Sequence, residues 1–573
     1  MNLFAWSAIL CLAVVGCKNT RSSGSEQGGG GAGGSAARGD AVLYVDPQIE
    51  SASCSSYAPA SRSSSGGKST AYKAIQGAAA AAMPGQTVVI REGTYAETLA
   101  PGNSGAEGRP ITFCAAKGER PVISGDALSP AINLSGRSHI VLDGLRVANV
   151  RRWLHALKAH HNTIRNCEFV GARDKGGSAK TGIFFQEATF NRLVGNVIEE
   201  STQDNLALIR ADRNLVEKNT FRKAKHVLWV IKGGNFNVIR GNYFHNEWQK
   251  IGEIYDCEKV GFDHEFTMFD CTKHNVVEGN VFAYTPSSGN RSPYAGIQYA
   301  GQKGIVRRNV FYETVGPAFD MTLYSHEAKF NTGNRVYNNT FCRTDFAGIS
   351  LAGAAQGFAF SDNILKNNIL VRSVFVANDK RWGWYTKVLA GQPVQVMAGR
   401  PEGFVFEHNN LFNKQPDEKF LITVGARNSS GNPAPQTIAA WQAQHPQVFR
   451  DNLELEPLFV DEAKHDFHLK PNSPMIDVAA WLTAASGNGS GASLPVKDAS
   501  YFCDGCGIPD VEGDWIQLEG QSQKARVVAI DYEKNVLKLD QALSWKDGQG
   551  VGLAYHGKRP DMGAFEHVPS QGN

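Results

Sequence analysis

From residue 162 to residue 370 the chain alternates short apolar strips with a turn residue and an asparagine, and then repeats the same order. The phrase is clearest at residues 214–221, 237–244, 275–282 and 334–341, where two or three apolar residues lead to an Asn with Phe two positions beyond it. Its anchoring asparagines fall at 166, 196, 219, 242, 280, 309, 339 and 368, at intervals of 30, 23, 23, 38, 29, 30 and 29. Apolar strips this short are strands, and a fixed period of this length marks a stacked repeat.

A coil of about 22 to 23 residues cannot bury its apolar side chains alone, so successive coils stack and share one core. The fold class predicted is therefore all-β, a right-handed parallel β-helix. The recurring Asn has a structural role in such a solenoid. It tolerates the left-handed backbone of a tight turn, and stacked amides can hydrogen-bond from coil to coil.

Upstream, residues 71–83 are strong helix formers ended by Pro84 and Gly85, and predict a helix that caps the open end of the solenoid. Short strands broken by glycine turns follow at 87–90, 93–97, 110–113, 121–125 and 140–145. Over these residues and the Asn phrases, roughly 41–480, the chain resembles the carbohydrate-active β-helix proteins, with their pectate-lyase-like, alginate-lyase-like and chondroitinase-like members. Residues 456–460, 466–470 and 473–477 resemble the closing coil of such proteins, and residues 559–566 its usual ending. Residues 487–556 then read as an insertion. Within it, 514–518, 525–530 and 536–539 predict a small antiparallel β module that serves as a cap or for docking.

The domain organisation expected is a signal at 1–17, a tether at 18–40, a β-helix formed by 41–486 and 557–567, and a module at 487–556. Residues 1–17 are an apolar run too short for a comfortable membrane span. Their ending, Val14-Val15-Gly16-Cys17, resembles the lipobox of bacterial lipoproteins, which implies lipidation at Cys17. It lacks the usual basic residue before the apolar core. Lys18 in the next position implies outer-membrane sorting. The Gly- and Ser-rich residues that follow have too little apolar surface to fold. The expected setting is the cell envelope, with a monomeric body that touches the membrane only through lipid.

Composition changes this picture little. With 58 basic and 55 acidic residues the chain is close to neutral, which argues against a broad nucleic-acid face. In an exported protein, Cys257 could pair with Cys271, and Cys503 with Cys506. No cysteine spacing predicts a zinc site, and no organic cofactor is expected.

Chemistry is expected where the solenoid departs from its repeat, because a regular coil has no need of acidic or basic clusters. The 38-residue interval before Asn280 holds Glu253, Asp256, Glu258, Asp263, His264, Glu265 and Asp270. In the strand before each Asn phrase, Ile183, Leu206, Trp229, Thr267, Ile297 and Ile349 are assigned inward. Lys232, Asp270, Gln298, Asp320 and Ser350 then face outward. Phe184, Ala207, Val230 and Met268 would face outward too. That arrangement needs either a cover over them or a phase one residue different. On this phase Lys232 and Asp270 occupy neighbouring coils about 5 Å apart.

Such a groove suits removal of the C5 proton from a uronate, which needs a cation on the carboxylate, a base, and an acid for the leaving oxygen. Lys232 or His264 is the candidate base and Arg291 the carboxylate clamp. Asp263, Glu265 and Asp270 are candidate Ca²⁺ ligands. Tyr294, Gln298 and Asp320 would line the groove, and Trp382, Trp384 and Tyr385 offer aromatic faces to sugar rings. Each also has a plainer role as strand end, loop residue or packing aromatic. The acidic calcium-binding strand followed by Lys-Ser, found in the alginate-lyase and chondroitinase group, is missing. So are the paired aspartates of polygalacturonase-type hydrolases, and neither group's catalytic residues carry over. The function expected is a surface-anchored lyase acting on an acidic polysaccharide. A glycoside hydrolase, a C5-epimerase and a non-catalytic adhesive protein are the alternatives.

Overall fold

The computed structural model describes residues 42–174, 181–255, 272–286, 295–323, 330–344, 346–351, 359–372, 395–413, 422–424 and 434–569. Three long sheets run side by side along the chain, and each coil contributes one strand to each sheet. The first sheet passes through Leu215–Glu217, Val238–Arg240, Val276–Glu278 and Ile305–Arg307. The second passes through Thr220–Ala224, Tyr243–His245 and Val281–Phe282, and the third through Leu206–Ile209, Val227–Lys232, Lys250–Tyr255 and Ile297–Tyr299. Pairing between coils is parallel and in register, as in Leu215 with Val238 and Val238 with Val276.

Asparagine holds the coils together at two corners. Asn196, Asn219, Asn242, Asn280, Asn309, Asn339, Asn368 and Asn409 each donate a side-chain N–H to the Oδ1 of the next ladder asparagine, at 2.8 to 3.2 Å, ending on Asn452. Asn452 in turn donates to the Gln442 side chain on the short helix Ile438–Gln444. A second ladder runs from Asn162 through Asn191, Asn214 and Asn237 to Asn275. The stacked amides expected from the sequence are therefore present, but the left-handed residue is the one before the ladder position. Lys218, Gly241, Gly279, Arg308 and Asn338 have positive φ, and Asn219 and Asn242 do not. Asn166 is left-handed itself, and the ladder position beside it is Cys167, whose N–H donates to Asn196. Inside the coil the aromatic two beyond each Asn forms a stack of Phe221, Phe244, Phe282, Phe311 and Phe341, with centroids 4.4 to 5.1 Å apart.

The capping helix is shorter than the sequence implies. It spans Ile75–Ala81, because residues 69–72 pair in parallel with the first strand. Ile75, Ala78 and Ala79 are buried in the solenoid core, and Glu97 accepts from the N–H groups of Ile75 and Gln76. Near the C-terminus, Gly489–Pro495, Trp515–Leu518, Lys524–Asp531, Val536–Trp545 and Gly550–Leu553 form an antiparallel sheet that also takes in Thr483–Ala484. Its apolar face shares a core with Leu215, Val238, Val276 and Ile305 of the first sheet. Cys503 and Cys506 are buried free thiols with their sulfurs 3.4 Å apart, so the expected local bridge is not formed. Cys257 and Cys271 lie outside the described residues.

Candidate functional site

The third sheet resolves the question of strand phase. Ile183, Leu206, Trp229, Ile297 and Ile349 lie in the core, as assigned. Phe184, Ala207 and Val230 face outward and are nevertheless buried, forming a separate apolar cluster with Ile209 and Val227. The Arg152 guanidinium lies 5.9 Å from the Phe184 ring, and the His155 ring 5.5 Å from it.

One assignment is corrected. The strand stacked on Val227–Lys232 is Lys250–Tyr255, which puts Tyr255 rather than Asp270 opposite Lys232. Gly252 explains the choice: a side chain there would meet the Trp229 indole at 2.6 Å, so only glycine lets the two strands pair over that ring. The extra residues of the long interval thus follow a strand instead of preceding one, and Thr267 is not the inward residue opposite Trp229. Gly233, left-handed, ends the strand just after Lys232.

Along the outer face Val230, Glu253, Gln298, Asp320 and Ser350 form one column, and Lys232 with Tyr255 lies in the next, after Ile209. Three of the expected site residues, Lys232, Gln298 and Asp320, therefore share this face. Lys232 is 7% exposed, with its ammonium 5.3 Å from the centre of the Tyr255 ring. The Tyr255 hydroxyl donates to Gln298 Oε1 at 2.8 Å, and Lys250 Nζ donates to the same oxygen at 2.9 Å. Lys250 also pairs with Glu253. His226, at the turn before the Lys232 strand, donates from Nδ1 to Asp204 Oδ1 at 2.7 Å, and its Nε2 stands 3.7 Å from Glu253 Oε1.

The electrostatics follow from this packing. Burial alone would raise the Glu253 pKa, but Lys250, His226 and Lys232 outweigh it and hold the carboxyl at about 2, so Glu253 is ionised. Burial would lower His226, yet Glu253 and Asp204 raise it above its ordinary value. Glu253 Oε2 is buried with no hydrogen-bond partner among the described residues, an acceptor left open in a polar network.

The sequence pattern does not single out His226, Asp204, Lys250 or Tyr255. The signal available was spacing, since Asp204 and His226 stand 22 residues apart, close to one coil, so stacking brings them together. His264, Arg291, Tyr294, Trp382, Trp384, Tyr385, Asp263, Glu265, Asp270 and Cys17 lie outside the described residues. Among the described residues no three His, Cys, Asp or Glu side chains converge to hold a metal ion.

Residues 57–226 match the family model described as Pel9A-like, right handed beta helix region. A curated relative, the uncharacterized protein YwoF of Bacillus subtilis (strain 168), is 23% identical over 447 residues, spanning 71% of this chain and 89% of that protein. Among solved structures, pectate lyase Pel9A is similar at 14% identity and a TM-score of 0.41, over 92% of this chain and 96% of that one. XylC in complex with xylose is similar at 12% identity and a TM-score of 0.40, over 90% and 100%. The A-module of the Azotobacter vinelandii mannuronan C-5 epimerase AlgE4 is similar at 14% identity and a TM-score of 0.35, over 61% and 90%. The chain is a right-handed parallel β-helix.

Proposed function

We propose that this protein is a surface-anchored enzyme that cleaves an acidic, uronic-acid-containing polysaccharide by β-elimination on the outer face of its third sheet. The observation that carries the reading is the grouping of Lys232, His226, Lys250 and Tyr255 on that face around an ionised Glu253. The match of residues 57–226 to a Pel9A-like β-helix supports it at the level of fold.

In this reading Lys232 acts as its neutral amine, whose lone pair takes the C5 proton, and the electron pair left behind forms the C4=C5 double bond as the C4–O bond breaks. His226, oriented by Asp204 and raised in pKa, gives its proton to the leaving glycosidic oxygen. Glu253, ionised beneath this face, holds Lys250 and faces the His226 ring. Arg291 as carboxylate clamp, the aromatic pair Trp382 and Trp384, Ca²⁺ at Asp263, Glu265 and Asp270, and export with lipidation at Cys17 complete the proposal from the sequence. Hydrolysis is less well supported on this face, because a carboxyl held at about 2 makes Glu253 a poor general acid at neutral pH.

The test is to incubate the protein with polygalacturonate, alginate and chondroitin and follow the ultraviolet absorbance of unsaturated products. Absorbance that grows with the native chain and drops at least 100-fold with Lys232→Ala supports elimination, a size of loss typical of a removed general base. New reducing ends without absorbance would replace the proposal with hydrolysis. Binding with neither product would replace it with the adhesive reading.

A further inference from the structure

On a different side of the solenoid, a cavity of about 680 Å³ opens between the first sheet and the inserted module. Arg240, Arg307 and Arg308 lie on the solenoid wall, and Asp514, Trp515 and Lys524 on the module wall. The volume falls in the range of small-molecule sites, and the lining mixes an aromatic face with charged groups.

The charges are unevenly satisfied. Arg240 is held by Glu217 at 2.7 Å. Arg307 is gripped by Glu278 at 2.6 Å and by Asp514 at 2.5 and 2.7 Å, which neutralises it and fixes the module to the sheet. The Tyr337 hydroxyl, donating to the Tyr501 carbonyl at 2.6 Å, and the salt bridge of Arg335 to Asp498 at 3.0 Å secure the same junction. Arg308 and Lys524 have no salt bridge or side-chain hydrogen bond among the described residues. Four cationic side chains thus meet three carboxylates, between walls that are already docked. Beside them Trp515 remains 44% exposed.

We propose that this cavity is a second, non-catalytic binding site for an acidic oligosaccharide, with one sugar ring stacked on Trp515 and carboxylates set against Arg308 and Lys524. An indole offers the C–H face of a sugar an apolar partner, and a guanidinium or ammonium offers its carboxylate charge-assisted hydrogen bonds. The choice of a uronate ligand rests on the function proposed above. The site itself rests on the wedge between module and sheet. Being remote from the third sheet, it would hold a polymer while another stretch of chain reached the reacting face.

The experiment uses the full chain carrying Lys232→Ala, titrated calorimetrically with polygalacturonate and alginate oligosaccharides and with neutral dextran as control. Trp515→Ala and, separately, Lys524→Glu are expected each to remove one binding site per chain, or to weaken it at least tenfold, with dextran unbound throughout. With Lys232 restored, both variants are expected to cleave short uronate oligosaccharides at the native rate. Unchanged isotherms in both variants, or no binding of either acidic probe by the parent, would overturn the proposal. Loss of binding in a chain that cleaves neither polymer would sink the elimination reading and leave this site standing. Cleavage with undiminished binding would do the reverse.

Discussion

At the scale of single residues, the candidate site depends on one imidazole held between two carboxylates. Asp204 and Glu253 raise His226, so a proton on its ring persists to higher pH than on a free histidine. If that proton goes to the leaving oxygen, activity falls as pH rises through the raised pKa, and the Asp204 partner sets where. Asp204→Asn removes one of the two raising charges, and the alkaline limb of kcat is expected to move to lower pH. A limb that stays in place in the pH–rate profile would assign the proton to another group. The same scale shows why the sequence pattern identified Lys232, Gln298 and Asp320 but not His226. The first three lie on three strands, Val227–Lys232, Ile297–Tyr299 and Phe319–Met321, whose period-two alternation can be followed. His226 lies in a turn, where alternation says nothing, and its value comes from a carboxylate one coil away.

At the scale of elements, the repeat was legible and its register was not. The Asn–x–Phe spacing predicted stacked strands and amide ladders, and both are present, because the spacing is what the stacking requires. The strand over Trp229 was misplaced, because the alternation was followed through Thr267 and Asp270, whereas residues 250–255 pair there and Gly252 fits beneath the indole. Asn166 was counted as a ladder member although the ladder position is Cys167. This difference is measurable. Asn242 accepts from Asn219 and donates to Asn280 and to the Val216 carbonyl, so Asn242→Ala leaves several buried partners unsatisfied, an expected cost of about 2 to 4 kcal/mol in denaturant unfolding. Asn166 is left-handed, a conformation glycine adopts without strain, and its side chain bonds only Asp143 among the described residues. Asn166→Gly is therefore expected to cost about 1 kcal/mol or less. Equal costs at the two positions would contradict the ladder assignment.

At the scale of the whole molecule, the chain closes by returning its C-terminal phrase to residues 473–480, with Met562 N–H donating to the Met475 carbonyl and Ala479 N–H to that of Pro560. This closure contains Glu566, pushed up to about 7 by burial and by Asp561. Unfolded, the same carboxyl titrates near 4.5, so between these values the native state binds the extra proton and stability declines as pH rises from 4.5 to 7. Glu566→Gln is expected to flatten that decline and to stabilise the protein at pH 8, by at most about 3 kcal/mol, as read from denaturant midpoints across pH. A variant with the native pH dependence would place the titration elsewhere. The closing phrase itself was visible in the sequence as a family resemblance, whereas the carboxylate pair within it was not, because Asp561 and Glu566 stand five residues apart in an irregular turn, where the Asp561 N–H donates to Glu566 Oε1 and no strand or helix period relates them. The longer amide ladder has a direction: every member gives its proton the same way along the axis, and the series stops where Gln442 accepts the last one. A one-way chain with a dedicated terminator has no fixed length. Whole coils could be spliced into its middle or taken out without altering either end, so the distance between the two caps is the dimension of this protein most open to change during descent.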